Sequence, residues 1–176
     1  MPSPIAHAAM GYLIYRGFRV HLPVEASQRV GPVPHLLIAA IVLSLLPDFD
    51  AVPGILTGEL GRFHNQFSNS LFVGIGVALT VGVIVWLIKR SNFATWFFFA
   101  LVCYEVHVLM DYATSGVMLF WPLSSERFES PVKLFYGLHW SHGWVSASHL
   151  LTLATEIVFI AFVGLALYFV QKKVKP

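Results

Sequence analysis

Residues 93–112 read FATWFFFALVCYEVHVLMDY, an apolar segment that contains the motif His107-Val108-Leu109-Met110-Asp111 near its end. About 20 mostly apolar residues suffice for a helix to cross the hydrocarbon core of a bilayer, so this segment is predicted to be a membrane span. Residues four apart share one face of a helix. The sequence therefore predicts that the imidazole of His107 and the carboxylate of Asp111 point the same way, as two metal-type ligands near one end of the span.

The composition of the whole chain is typical of an integral membrane protein. Of its 176 residues, 57% are hydrophobic and 11% are charged, whereas an ordinary soluble domain carries about 25% charged residues. The length predicts a single membrane domain over residues 1–176. A net charge of +2 is too small to favour a nucleic-acid partner. The single cysteine, Cys103, excludes a disulfide framework and a zinc cluster built from cysteines.

The hydrophobic pattern predicts an all-α polytopic bundle of about five helices. The expected helices cover residues 5–18, 35–46, 67–88, 93–112 and 145–170. The first two are shorter than a full span requires, so we expect half-spans or helices packed inside the bundle. Pro47 is expected to end the second helix, and residues 51–66 and 113–144 are expected to be loops.

The basic residues are distributed unevenly between the two sides of this topology. If all five segments cross the bilayer, one side receives Arg16, Arg19, Arg29, Lys89, Arg90, Lys172, Lys173 and Lys175, and the other receives Arg62, Arg127 and Lys133. The positive-inside rule then places the first group in the cytoplasm and the N-terminus outside.

The same topology brings a set of His and Asp residues to the outer side. These residues are His7, Asp48, Asp50, His64, His107, Asp111, His139 and His142. Because the positive-inside rule takes no account of His or Asp, this convergence independently supports a single site on the extracytoplasmic side.

Six of these residues form the predicted metal site: His7, Asp48, Asp50, His64, His107 and Asp111. Imidazole and carboxylate ligands without thiolates suit zinc, manganese or iron rather than a structural zinc site. Six ligands exceed the needs of one tetrahedral zinc ion and suit a pair of ions, in which one carboxylate can bridge. Such pairs activate water and stabilise the attacking and leaving oxygens in phosphoester hydrolysis.

The order of these motifs resembles a known family. His7 in the first helix, Leu46-Pro47-Asp48-Phe49-Asp50 after the second, His64 before the third, and His107-x-x-x-Asp111 in the fourth look like the YdjM-like family of membrane-bound metal-dependent hydrolases. The order of His and Asp is also similar, more faintly, to that of zinc-dependent phospholipase C.

This resemblance implies a hydrolase of the bacterial-type inner membrane that holds one to three divalent ions, with zinc expected. A membrane lipid or lipid-linked phosphoester is the expected substrate, because the predicted site lies at the depth of the lipid headgroups. Asp48 or Asp50 would serve as a metal ligand or as the general base.

One motif departs from the family pattern. The family typically has His-Arg-Gly-x-Thr-His-Ser at the third helix, and this chain has HNQFSNS over residues 64–70. His64 and Ser70 match, but Asn69 replaces the second His and is a weaker zinc ligand than imidazole. Asn69, His139 and His142 are therefore candidates for additional ligands. The alternative for the two histidines is an aromatic belt at the membrane interface, together with their tryptophan neighbours.

Two further readings of the sequence stay open. Glu105 and Ser70 are candidates for orienting the ligands through hydrogen bonds, whereas Glu105 and Glu156 can instead form a pair between helices or act as the membrane carboxylates of a small proton-coupled transporter. Loss of a ligand at Asn69 favours a non-catalytic protein of the same fold. Two or more bound ions per chain favour the enzyme, whereas one or none favours the non-catalytic protein. A transporter predicts that Glu105→Gln and Glu156→Gln abolish function while changes of the histidines do not.

Overall fold

The protein is a bundle of helices. Its structure, a computed structural model, describes residues 1–21, 33–59, 63–64, 66–138 and 146–174. The helices within these ranges are α1 (Pro4–His21), α2 (Val33–Leu45), a 3₁₀ helix (Leu46–Ala51), α3 (Val52–Thr57), α4 (Leu71–Lys89), α5 (Phe93–Tyr112) and α6 (Ser148–Val174). The predicted all-α membrane fold is confirmed, and α5 has the predicted bounds.

Four helical segments are long and apolar enough to cross a membrane: His35–Thr57, Leu71–Lys89, Phe93–Tyr112 and Ser148–Lys172. The helix α1, with 18 residues, is not among these four. It packs instead against α2, α5 and α6, which agrees with the expectation of a helix held inside the bundle.

The α-helix α2 ends at Leu45, two residues before Pro47, as expected, but the loop that was expected to begin at residue 51 does not begin there. Pro47 lies at the start of the 3₁₀ helix, and the chain continues through Asp48 into α3, which ends at Thr57. Proline is tolerated in the first turn of a helix because the N–H it lacks would have no partner there. The second segment is therefore long enough to be a full span, and the part of the expected loop that precedes Gly58 is helical.

The next helix begins later than predicted because its N-cap is a serine. The Ser70 side chain accepts a hydrogen bond from the backbone N–H of Phe72 at 3.2 Å, which satisfies one of the free donors in the first turn of α4. The helix therefore starts at Leu71 and not at Phe67.

The helix directions give the bundle two distinct ends. Near the first residues of α1, His7 contacts Asp111 at the end of α5, and at the other end of α1 Phe18 packs on Phe99. These two helices are therefore antiparallel. We call the end of the bundle that contains His7, Asp48 and Asp111 the site end.

The last helix, α6, runs parallel to α1. At the site end the Glu156 carboxylate accepts hydrogen bonds from the Ser3 backbone N–H at 2.5 Å and from the Ser3 hydroxyl at 2.6 Å. Near the other end, the Gln171 amide donates to the carbonyl oxygen of Arg16 at 3.2 Å. Contacts at both ends fix α1 along α6.

A long connection covers the site end between α5 and α6. Its described part, residues 113–138, contains no helix, as predicted, and pairs Val117 with Phe128 through two backbone hydrogen bonds of 2.9 Å. The backbone N–H of Leu138 donates to the Met1 carbonyl at 2.7 Å. The connection therefore closes over the N-terminus of α1, next to His7.

Candidate metal centre

Four residues from three helical segments converge at the site end. His7 comes from α1, Asp48 from the 3₁₀ helix, and His107 and Asp111 from α5. Each offers one ligand atom, and these atoms all lie within 4.8 Å of one another. His7, His107 and Asp111 are fully buried, whereas the Asp48 side chain is 13% exposed. The exposed part of Asp48 is not its carboxylate, because both of its oxygens are buried.

The two residues of the α5 motif do share one face of the helix. His107 Nε2 lies 3.5 Å from Asp111 Oδ2, which confirms that prediction. The His7 ring stacks on the His107 ring with a centroid distance of 3.7 Å, and His7 Nε2 lies 3.6 Å from Asp111 Oδ1. Both imidazoles thus present Nε2 to the same carboxylate. On the opposite side, His107 Nε2 lies 3.4 Å from Asp48 Oδ1.

The orientation of His107 is set by a backbone carbonyl. His107 Nδ1 donates to the Ser44 carbonyl oxygen at 2.7 Å. Residue 47 is a proline and cannot donate to this carbonyl from three residues further along the chain. Because a carbonyl only accepts hydrogen bonds, Nδ1 carries the proton, and in the neutral ring the lone pair of Nε2 faces Asp48 and Asp111.

The atoms that face one another in this group lack hydrogen-bond partners in the described part of the chain. They are Nε2 of His7, Nε2 of His107, and both carboxylate oxygens of Asp48 and of Asp111. A buried carboxylate without a compensating partner is costly. The observed separations of 3.4–3.6 Å also exceed the roughly 2.7–2.9 Å of a charge-assisted hydrogen bond. Burial lowers the pKa of the nearby Met1 α-amino group, although Asp111 and Asp48 oppose this shift. The positive charge of that group is therefore less available to compensate the two carboxylates.

These separations fit four ligands around one divalent cation. Zinc binds imidazole nitrogen and carboxylate oxygen at about 2.0–2.2 Å, so two ligands of a tetrahedral ion lie about 3.3–3.6 Å apart. Three of the distances, 3.4, 3.5 and 3.6 Å, fall in this range, and all four ligand atoms lie within 4.8 Å of one another. The donor set of two histidines and two aspartates is also one that zinc, manganese and iron accept. A buried group of His7, Asp48, His107 and Asp111 can therefore hold a metal ion.

A second imidazole arrangement adjoins this group through Asp48. His64 Nε2 lies 3.6 Å from Asp48 Oδ1, and His64 Nδ1 lies 2.7 Å from Asp50 Oδ1. Asp50 Oδ2 also accepts hydrogen bonds from the Gln66 backbone N–H at 3.2 Å and from the Ser68 hydroxyl at 2.5 Å. A carboxylate that holds one ring nitrogen of a histidine, with the other nitrogen turned to the site, is the usual support of a metal-binding imidazole.

The structure thus brings together all six predicted ligands, in two different relations. Asp48 Oδ1 lies between the Nε2 atoms of His107 and His64, where one carboxylate could serve two ions. Asp50 contacts His64 and is not a member of the four-residue group. The roles of Asp48 and Asp50 as general base and of His64 as a ligand stay predictions.

The other candidate residues have different surroundings. Ser70 caps α4 and donates to the Trp121 carbonyl at 2.6 Å, and Asn69 is fully buried beside it. Glu105 lies against Gly74 of α4, and its carboxylate oxygens have no hydrogen-bond partner within the described ranges. Their predicted roles in the site stay predictions. His139 and His142 lie outside the described residues.

Two supporting residues were not predicted from the sequence. Ser44 supplies the carbonyl that orients His107, and Ser3 links the start of α1 to Glu156. For Ser3 a signal exists, because a serine directly before Pro4 matches the preferred N-cap and first-turn residues of a helix. For Ser44 the only signal is Pro47 three residues later, which leaves a carbonyl available but does not name its partner.

Comparison with known proteins places the chain in a family. No solved structure matches it. It is 33% identical over 137 residues, covering 74% of this chain and 73% of the relative, to the inner membrane protein YbcI of Escherichia coli (strain K12). The family model for the YdjM inner membrane protein matches residues 1–175, which is nearly the whole chain and agrees with the resemblance based on the order of the His and Asp motifs. The chain therefore belongs to the YdjM inner membrane protein family.

Proposed function

We propose that this protein is a metal-dependent hydrolase that cleaves a phosphoester of a membrane lipid or lipid-linked substrate. The observation that carries the proposal is the buried group of His7, Asp48, His107 and Asp111. Its facing nitrogen and oxygen atoms lack hydrogen-bond partners in the described ranges and have the spacing of ligands around one cation.

The depth of the group supports a lipid substrate. His107 lies 14 residues beyond Phe93 and Asp111 lies 18 beyond it, which is about 21 Å and 27 Å along the helix. The hydrocarbon core of a bilayer is about 30 Å thick. If α5 crosses this core, the group lies near one headgroup layer rather than at the midplane, where a phosphate of a lipid can reach it.

The distribution of charge supports an outward-facing site. Arg16, Arg19, Lys89, Arg90 and Lys172 lie at or near the helix ends opposite the site end. Within the described residues of the connection at the site end, the basic residues are Arg127 and Lys133. By the positive-inside rule, the site end faces the extracytoplasmic side.

The residues of the group have separable tasks in this reaction. A divalent cation held by His7, Asp48, His107 and Asp111 would lower the pKa of a water molecule and polarise a phosphoryl oxygen. Both carboxylate oxygens of Asp48 are buried and have no hydrogen-bond donor among the described residues, so they can accept a proton from a water molecule held in the group. Asp50 already accepts three hydrogen bonds and is better placed to position His64.

The transporter alternative loses support at Glu156. Both carboxylate oxygens of Glu156 accept hydrogen bonds from Ser3, so this residue fixes the start of α1. A carboxylate that holds a helix start in this way is a poor proton carrier, because protonation would weaken its hydrogen bonds with Ser3. The non-catalytic alternative rests on Asn69 in place of the family histidine, and a count of bound ions separates it from the enzyme.

The experiment is an assay of phosphate-ester hydrolysis on mixed micelles of phosphatidylglycerol and detergent. Wild-type protein should lose activity after dialysis against a chelator and regain it with zinc or manganese. Asp48→Asn should lower activity by about 10²–10⁴-fold, the usual contribution of a general base. Glu129→Gln is the matched control, because Glu129 is an exposed carboxylate of the same end that pairs with Lys133.

A folded His107→Ala or Asp111→Ala protein that retains the wild-type hydrolysis rate would contradict this proposal. So would a rate that chelation does not change. Folding is checked by size-exclusion chromatography and circular dichroism in the same detergent.

A further inference from the structure

An apolar groove adjoins the candidate metal centre. It is a cavity of about 640 Å³, within the range of about 300–1,000 Å³ typical of ligand pockets. Its apolar wall is formed by Leu46, Phe49, Pro53, Phe63 and Phe67, and we call it the phenylalanine groove. The wall comes from the 3₁₀ helix, from α3 and from the segment before α4, which are the segments that also carry Asp48 and His64.

The groove has a polar end that leads to the metal centre. Asp50 and Ser68 belong to its lining and are hydrogen-bonded to each other. The other carboxylate oxygen of Asp50 contacts His64, whose Nε2 lies 3.6 Å from Asp48. Two side chains therefore separate the groove from the group that would hold the ion.

The groove is open on its apolar side. Phe49 is 61% exposed and Phe67 is 53% exposed, although phenylalanine is normally buried in a water-soluble core. The groove borders the segment His35–Thr57, one of the four candidate spans, so these rings lie where hydrocarbon chains can reach them. An open apolar wall that ends at Asp50 and Ser68, close to a group that would hold a cation, matches an amphiphile whose chain lies on the wall and whose phosphate reaches the cation.

A second apolar crevice differs from the groove in that it has no polar end. The crevice lies between α1, α5 and α6, measures about 400 Å³ and is lined by apolar residues such as Leu13 and Phe98. Its lining contains no charged or polar side chain, so it is suited to any bilayer lipid. The phenylalanine groove differs because its lining includes Asp50, which contacts His64 next to Asp48 of the metal centre.

We propose that the phenylalanine groove binds one acyl chain of a glycerophospholipid and thereby brings the lipid phosphate to the metal centre. The identity of the reacting headgroup rests on the proposed function, but occupation of the groove by an acyl chain does not. The groove is then the part of the site that selects substrates with a long chain over soluble phosphoesters.

The test uses a phosphatidylglycerol with a photoreactive diazirine in one acyl chain. Purified protein in lipid nanodiscs that contain this probe is irradiated, and the labelled residues are identified by mass spectrometry. Labelling at Phe49, Phe63 and Phe67 should exceed labelling at Leu13 and Phe98 of the second crevice. Excess dipalmitoyl phosphatidylglycerol should compete for the groove, and glycerol 3-phosphate should not.

Two matched variants complete the design. Phe49→Ser with Phe67→Ser removes two exposed rings and should lower groove labelling at Phe63 by at least about fivefold, since the chain loses apolar contact area. Phe98→Ser removes a ring of similar exposure from the crevice and should leave groove labelling unchanged. Both variants replace exposed side chains, so the folded bundle should persist.

Equal labelling of groove and crevice would overturn the proposal. It would also be overturned if both variants lowered groove labelling to the same degree. Since labelling requires no turnover, groove-specific labelling of a protein without hydrolase activity would leave this inference standing and contradict the proposed function instead.

Discussion

At the residue scale, the motif His107-x-x-x-Asp111 could be interpreted from sequence because helix geometry alone fixes a shared face. The structure confirms this with a separation of 3.5 Å between Nε2 and Oδ2. The support of His107 could not be predicted, because the Ser44 carbonyl lies 63 positions away in the chain and every residue has a carbonyl. The sequence also suggested Asp50 as a ligand. It could not show that Asp50 contacts His64, because that contact depends on how the chain folds between the two residues.

The structure predicts different consequences for the two aspartates of the Leu46–Asp50 motif. Asp50→Asn weakens the support of His64, and loss of such an outer partner typically lowers metal affinity by about 10–100-fold. Asp48→Asn removes a proposed ligand and should lower affinity further. Zinc affinity is measured by competition with a fluorescent chelator in detergent. Equal affinities of wild type and Asp48→Asn would contradict the assignment of Asp48 as a ligand, and Glu126→Gln, on the exposed connection, is the control.

At the element scale, the hydrophobic pattern predicted the bounds of α5 but not that the chain stays helical after Pro47. Sequence rules take an internal proline as a helix end, whereas here the helix changes to a 3₁₀ turn at Leu46 and continues to Thr57. The change of helix type places Asp48 and Asp50 beside His107 and His64. Hydrophobic periodicity carries no information about such a change, because it depends on contacts with α5.

Close packing of α1 on α2 should be needed for metal binding. A Cβ at Gly11 would lie 2.8 Å from Ser44 Oγ and 2.9 Å from the Ala40 carbonyl oxygen. Gly11→Ala should therefore displace α1, which carries His7, and cost about 1–3 kcal/mol through overpacking. Gly76→Ala is the control, since a Cβ there would meet nothing within 4 Å. The midpoint temperature of thermal unfolding in detergent and the zinc content should both be lower for Gly11→Ala, and both should be unchanged for Gly76→Ala. Equal values for the two variants would contradict this role of Gly11.

The link between Ser3 and Glu156 should stabilise the start of α1. Glu156→Ala removes two hydrogen bonds to a buried carboxylate, and one such bond to a charged group contributes about 1.5–3 kcal/mol. For two such bonds the expected loss in the free energy of unfolding is about 3–6 kcal/mol, measured by chemical denaturation in mixed micelles. Glu129→Ala, at an exposed ion pair, should leave the free energy of unfolding nearly unchanged, because solvent screens such pairs. A Glu156→Ala protein as stable as Glu129→Ala would show that this link does not hold α1.

At the scale of the whole molecule, composition and the distribution of charge were enough to predict a membrane bundle and the arrangement of its helices. High apolar content predicted a membrane bundle, and the alternation of helix directions then brings His7, Asp48, His107 and Asp111 to one end. Sequence could not predict the cover over that end, because residues 113–138 have no periodic pattern and are fixed by separate contacts such as Leu138 with Met1.

The orientation of the bundle in the membrane gives a further prediction. In a Cys103→Ala background, Ser125→Cys places a thiol on the exposed connection at the site end, and Lys172→Cys places one near the end of α6. A maleimide that cannot cross membranes should label Ser125→Cys in spheroplasts, and should label Lys172→Cys only after the membrane is permeabilised. The reverse pattern would place the site end in the cytoplasm and exclude a lipid of the outer leaflet as substrate.

The central claim is that the buried His and Asp residues at the site end hold a divalent metal ion. The most direct measurement is the metal content of the detergent-purified protein by inductively coupled plasma mass spectrometry, for wild type and for Asp111→Ala. Wild type should contain about one or more zinc, manganese or iron ions per chain, and a folded Asp111→Ala protein should contain a small fraction of that amount. Wild-type protein without bound metal after incubation with these ions, or an Asp111→Ala protein with the wild-type content, would contradict the claim.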